Sequence, residues 1–165
     1  VDNDSDGWID FPDDPGCGSS LDYSEDLPPA PLTKDQQSCV NEMNNNGAKV
    51  NRAQLKEAEK CLKDFQNGKL ASFDVCTTDD RKGKVQKAAD KTVSGEERKC
   101  DPLAPDDLPQ FGYTAAVTVN QAATAGGLAL VREIFGDPVQ DAVLATKDGD
   151  KDVASCQYAM LQEAG

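Results

Sequence analysis

The N-terminal acidic side chains are spaced in a way that can hold a hard cation. The chain opens Val1-Asp2-Asn3-Asp4-Ser5-Asp6-Gly7-Trp8-Ile9-Asp10-Phe11-Pro12-Asp13. With Asp2 as loop position one, Asp4, Asp6, Asp10 and Asp13 fall at positions three, five, nine and twelve, and Gly7 at position six. Calcium takes roughly six to eight oxygen ligands, so a short loop must turn sharply and aim many oxygens inward. Alternate positions converge, which brings Asp2, Asp4 and Asp6 together. Gly7 permits a turn that a Cβ resists. The backbone carbonyl of Trp8 supplies the ligand at position seven, Asp10 binds directly or through water, and Asp13 closes the shell. Asp14, Asp22, Glu25 and Asp26 follow closely enough to make a second cation site or a solvated acidic turn.

The elements around this loop are not those of an EF-hand, which needs a helix on each side. Pro12 and Pro15 oppose helix continuation. Residues 1–26 hold nine acids and no Lys or Arg, whereas the remaining 139 residues hold 21 acids and 17 bases. Most of the net charge of −13 therefore belongs to a calcium-binding arm. An acidic chain of this kind repels nucleic acid and anionic membranes, and no basic patch with interleaved aromatics stands out. Leu27-Pro28-Pro29-Ala30-Pro31 predicts an extended, semi-rigid linker over 27–32.

In its Asp spacing and Asp14-Pro15-Gly16-Cys17 ending, the arm resembles the helix-free thrombospondin type 3 repeat. It is still more similar to an Asp-rich repeat of secreted and surface proteins of bacteria. The likeness covers Val1 to Asp26 and implies calcium binding outside the cell. That repeat usually opens with a Cys-x-Asp-Gly element. The element is not in this sequence, so Cys17 lacks the local partner the resemblance implies.

Residues 33–165 predict a helical domain, and the fold class expected is mostly α, stapled by disulfides, with a non-helical arm. Thr33 can cap a helix over 34–66. Asn44-Asn45-Asn46-Gly47 leaves open one long helix with a weak point or two helices; the single helix is the expectation carried forward. Asn67-Gly68 ends it. Thr78 or Asp79 can start a helix to about Thr92, and Ser94 one more turn. Residues 118–135 form the most apolar helix, in which Gly126 and Gly127 permit close approach of another helix. Asp137-Pro138 starts a helix through about Thr146. Lys147 to Asp152 is a turn and a cap for a last helix over about 151–163.

Six cysteines at wide spacings, none in a CxxC pair, suit disulfides in an oxidising compartment. Cys39 and Cys61 are 22 residues apart, and Cys76 and Cys100 are 24 apart. An antiparallel hairpin of two such helices, each about 33–36 Å at 1.5 Å per residue, sets Cys61 against Cys76 and Cys39 against Cys100. Cys17 and Cys156 are left to pair with each other, to pair with another chain, or to stay free. The segments Cys39-Val-Asn-Glu-Met-Asn, Asn46-Gly-Ala-Lys-Val, Lys82-Gly-Lys-Val-Gln-Lys-Ala and Thr118-Val-Asn-Gln-Ala-Ala resemble uncharacterised secreted proteins of Gram-negative bacteria. That resemblance implies a compartment and no activity. A first residue of Val rather than Met agrees with a secreted protein whose leader has been removed.

Histidine is absent, which removes His-based triads and the usual general base near neutral pH. No nucleophile elbow, phosphate loop or singled-out carboxylate pair points to an enzyme. The function expected is a secreted, calcium-binding structural protein joined to copies of itself through its arm, as in a filament or surface assembly. The alternative is a dockerin-like adhesion module for a different partner, and a secreted hydrolase is the weakest case.

Overall fold

The computed structural model describes residues 31–109, 115–137, 139 and 144–164. The calcium-loop residues and Cys17 lie outside the described residues. The helical unit runs from Lys34 to the C-terminus. Its elements are α1 (Lys34–Gln66), a short α2 (Asp74–Thr77), α3 (Lys84–Lys99), one turn of 3-10 helix (Pro105–Asp107), α4 (Ala116–Phe135) and α5 (Lys151–Glu163). Among the described residues there is no strand. The mostly helical class expected from the sequence is what this unit adopts.

Helix α1, 33 residues and about 50 Å long, packs against α2, α3, α4 and α5. It runs unbroken through Asn44-Asn45-Asn46-Gly47. These residues are poor helix formers, and tertiary contacts hold them. The Asn46 amide donates to Glu42 Oε1 at 3.1 Å and to the Lys91 carbonyl of α3 at 3.3 Å. Gly47 is buried, and a Cβ there would stand 2.8 Å from Val119 Cγ1 of α4. The helix stops at Gly68, which has φ 70°. Gly68 N–H donates to Phe65 O and Lys69 N–H to Asp64 O, the two bonds of a Schellman motif.

Five amide side chains of α1 each donate to a backbone carbonyl of a different element, beginning with Gln36, which reaches Asp107 of the 3-10 turn at 2.9 Å. Asn46 reaches Lys91 on α3, and Asn51 reaches Ala123 on α4 at 3.0 Å. Gln54 reaches Thr77 on α2 and Gln66 reaches Ala154 on α5, both at 2.7 Å. Gln54 and Gln66 are buried, where an amide without a partner is costly. These bonds fix register as well as position.

Two apolar clusters lie along α1. One gathers Leu55, Ala58, Cys61, Leu62, Phe73, Cys76, Val131 and Leu161, with Phe73 edge-on to Phe135 at 5.6 Å. The other is Cys39, Met43, Cys100 and Ala116. Each contains one disulfide: Cys61–Cys76, with Cα atoms 5.8 Å apart, and Cys39–Cys100, at 5.0 Å. Helices α1 and α3 run antiparallel between them.

Three boundaries differ from expectation. Helix α3 begins at Lys84, not at Thr78 or Asp79. The carboxylate that starts it is Asp80, which accepts from Lys84 N–H at 2.7 Å and Gln86 N–H at 2.8 Å. The helix then continues to Lys99 without stopping at Thr92. Ser94 caps nothing; its hydroxyl donates back to the Asp90 carbonyl at 3.0 Å, the helix-interior habit of Ser. Finally, Leu144, Ala145 and Thr146 are not helical. Ala145 N–H donates to Gln157 Oε1 and Lys147 N–H to the Gln66 carbonyl. Residues 138 and 140–143 of the expected helix lie outside the described residues.

The end of the chain follows its sequence signals. Asp150 Oδ1 accepts from Asp152 and Val153 N–H, an N-cap that starts α5. In α4, Gly127 is buried, and a Cβ there would stand 3.2 Å from Gln54 Cβ and Cγ. The expected close approach of a helix is therefore that of α1. Ala116 N–H at the start of α4 donates to Glu96 Oε1 of α3 at 3.0 Å, so a side chain of one helix satisfies an orphan donor of another.

Candidate functional site

The residues expected to hold calcium, Asp2, Asp4, Asp6, Trp8, Asp10 and Asp13, lie outside the described residues, as do Asp14, Asp22, Glu25 and Asp26. Among the described residues, no three Asp, Glu or Cys side chains come together as a metal site. Cys156 sits exposed on α5 with no disulfide partner among the described residues. Val153 and Met160, three residues before it and four after, share its side of the helix and are 45 % and 50 % exposed.

The helical unit also has a polar cleft that no sequence signal indicated. Asp74, Thr77 and Thr78 line it from α2 and the residue after it, Leu128, Val131 and Arg132 from α4, and Asp137 and Val139 from beyond α4. Its volume is about 320 Å³. Arg132 Nε stands 3.9 Å from Asp137 Oδ1. Asp74 Oδ1 is buried with no hydrogen-bond partner in the structure, and the Thr77 hydroxyl donates to the Asp74 carbonyl at 3.1 Å. A guanidinium, two carboxylates and two hydroxyls can recognise a small polar ligand. The hydroxyls have no imidazole to activate them, so they do not form a nucleophile–base pair of the usual kind. The cleft is lined by residues of α2 and α4, both of which pack on α1 and lie far apart in sequence, which is why no local motif announces it.

A second groove, of about 230 Å³, runs between α1 and α5 and is lined by Lys63, Gln66, Lys147, Ser155, Tyr158 and Gln162, among others. The Lys63 ammonium lies 6.0 Å from the centre of the Tyr158 ring, at the outer range of a cation–π contact.

Burial disfavours the charged form of Asp80, but backbone N–H donors from Gln86, Val85 and Lys84 outweigh that effect and hold its carboxyl below the ordinary value. Burial raises Glu59, against the attraction of Lys56. Burial, followed by repulsion from Lys82 and Arg81, lowers Lys60. Attraction from Asp64 and Glu57 opposes that shift.

Among the described residues no helix is long and apolar enough to cross a membrane. Comparison with protein families, with curated proteins and with solved structures finds no match to this chain.

Proposed function

We propose that this chain is an extracellular calcium-binding structural protein whose N-terminal arm joins one subunit to the next. The observation that carries this is the spacing of acids in the arm: Asp2, Asp4, Asp6, Asp10 and Asp13 around Gly7, the ligand set of a calcium loop. Two disulfides in the helical unit are compatible with an oxidising, extracellular location. Helix α1 and its bonded partners supply a stiff body to which an arm can be attached. Trp8, Ile9 and Phe11 adjoin the ligands in sequence, in a 26-residue segment too short to bury them in a core of its own, so they need a surface to cover them. A contact offered by one patch and received by a different one is heterologous, and it propagates unless a ring closes.

Calcium binding is tested by titration calorimetry on the whole chain. Asp2→Ala and Asp6→Ala should each abolish or strongly weaken the calcium isotherm. Unchanged binding in both variants would remove the basis of this function.

A further inference from the structure

The chain is acidic overall, yet the α1–α3 hairpin has one strongly basic face. On α1, Lys49, Arg52, Lys56, Lys60 and Lys63 recur at spacings of three and four, so they form one stripe. On α3, Lys84, Lys87, Lys91 and Arg98, at spacings of three, four and seven, also share one side. Arg81 and Lys82 lie in the loop that leads into α3. Together these are eleven of the chain's 17 bases. All are exposed except Lys60, which is half-buried.

The structure brings the two stripes side by side. Lys49 Nζ donates to Asn46 Oδ1 at 3.0 Å, and Asn46 in turn donates to the Lys91 carbonyl. At one end of the seam Arg98 pairs with Glu42 at 2.7 Å, and at the other Arg81 pairs with Asp64 at 3.1 Å. Lys60 is repelled by Lys82 and Arg81 across it and attracted by Asp64 and Glu57. The residues of α1 that face α4 are Gly47, Asn51 and Gln54, and those of α3 are Ala89 and Glu96. Both stripes fall on the opposite side of the seam from these, so the basic face points away from α4. Lys82, Lys84, Lys87 and Lys91 form no ion pair with a described carboxylate.

We infer that this face is the receiving surface for the acidic arm of a second copy of the chain. The inference rests on the function proposed above and names the surface that function requires. Like charges crowded along a seam disfavour the isolated unit, and a matching anionic partner relieves that repulsion. The chain carries such a partner in equal amount, since residues 1–26 have nine acids and no base. One bound calcium ion occupies the loop aspartates and offsets two of their five charges. Asp14, Asp22, Glu25 and Asp26 then serve as an acidic turn rather than a second cation site and meet the lysines, so the calcium loop and docking use different carboxylates.

The test is sedimentation velocity on the intact chain in calcium, with helical content followed by circular dichroism. A face variant, Lys56→Glu/Lys60→Glu/Lys87→Glu/Lys91→Glu, should stay folded and monomeric. An arm variant, Asp14→Lys/Asp22→Lys/Glu25→Lys/Asp26→Lys, should also be monomeric. A one-to-one mixture of the two should assemble, because each arm then meets a face of opposite charge. A milder face variant with Gln at the same four positions should raise the concentration needed for assembly about a hundredfold, and it serves if the Glu variant does not fold. If either folded face variant assembles like the wild type, the arm docks elsewhere; the inference falls and the calcium function stands. If the mixture stays monomeric while wild-type binding to double-stranded DNA or heparin depends on these lysines, the face serves an external polyanion and the inference also falls. A wild type that is monomeric at every calcium concentration contradicts both.

Discussion

The two ends of the α1–α3 hairpin are held by different balances of the same forces. At one end the Cys61–Cys76 bond lies inside the larger apolar cluster, with Leu55, Leu62, Phe73, Val131 and Leu161 fully packed around it. At the other, Cys39–Cys100 lies in a cluster whose other buried members are Met43 and Ala116. The first bond joins residues 15 apart in sequence and the second joins residues 61 apart. The end with less apolar surface thus has the bond that restricts the unfolded chain more. A long helix with a thin core at one end needs a covalent tie there, whereas the thick end holds largely by packing.

Breaking the ties separately should expose that difference. In the chain-entropy account the longer loop contributes about 4 kcal/mol and the shorter about 3 kcal/mol. Cys39→Ser/Cys100→Ser should therefore lower stability more than Cys61→Ser/Cys76→Ser in urea unfolding. Hydrogen exchange should show the loss around Met43 and the end of α3, with the Leu62 cluster still protected. Equal losses with uniform exchange would mean that the two ends are not distinct.

A smaller effect probes the seam between them. At Gly95 of α3 a Cβ would meet Asn46 Nδ2 at 2.7 Å and Glu42 Cγ at 2.9 Å, the side chains that bridge to Lys91 and Arg98. At Gly126 of α4 the nearest atom would be Asn51 Nδ2, at 3.3 Å. Replacing a helical Gly by Ala gains up to about 1 kcal/mol of propensity, and overpacking costs about 1–3 kcal/mol. Gly95→Ala should be destabilising by about 1 kcal/mol and Gly126→Ala neutral or stabilising, as read from thermal melts. A stabilising Gly95→Ala would show that the seam is looser than described.

The smallest effect concerns the start of α3. Asp80→Ala removes a cap and should cost about 1 kcal/mol near neutral pH. The Asp80 carboxyl lies below its ordinary value in the folded state, so its contribution is present above the ordinary Asp range. It is lost as pH falls through the folded value. Wild type and Asp80→Ala should thus converge in stability as pH falls below the ordinary Asp range and through the lowered folded value. The raised Glu59 acts in the opposite sense but is common to both proteins, and it cancels in the difference. A gap that persists in acid would assign the effect to something other than the carboxylate.

Legibility followed the range of the interactions. The disulfide register could be read because Cys39 to Cys61 and Cys76 to Cys100 are similar residue counts on the outward and return limbs, although the return limb is α2, a turn and the 16-residue α3 rather than one helix. Asp150 was legible because an N-cap acts within three residues. The start of α3 was missed because Asp80 reaches forward across a turn that Gly83 closes with φ 62°. The amides of α1 were not read as ties because their partner carbonyls lie 23 to 88 residues away. The basic face was hidden by the overall acidity. Its signal was available in the Lys and Arg spacing of 49–63, but only the pairing of α1 with α3 turns two stripes into one surface. The calcium loop is legible from local spacing alone.

The central claim, calcium-dependent joining through the arm, is tested most directly by sedimentation velocity of the intact chain in calcium and in excess chelator. The account predicts high-mass particles of a single species with calcium and monomer with chelator, reversibly. The same high-mass particles in chelator, or monomer under both conditions, would contradict it.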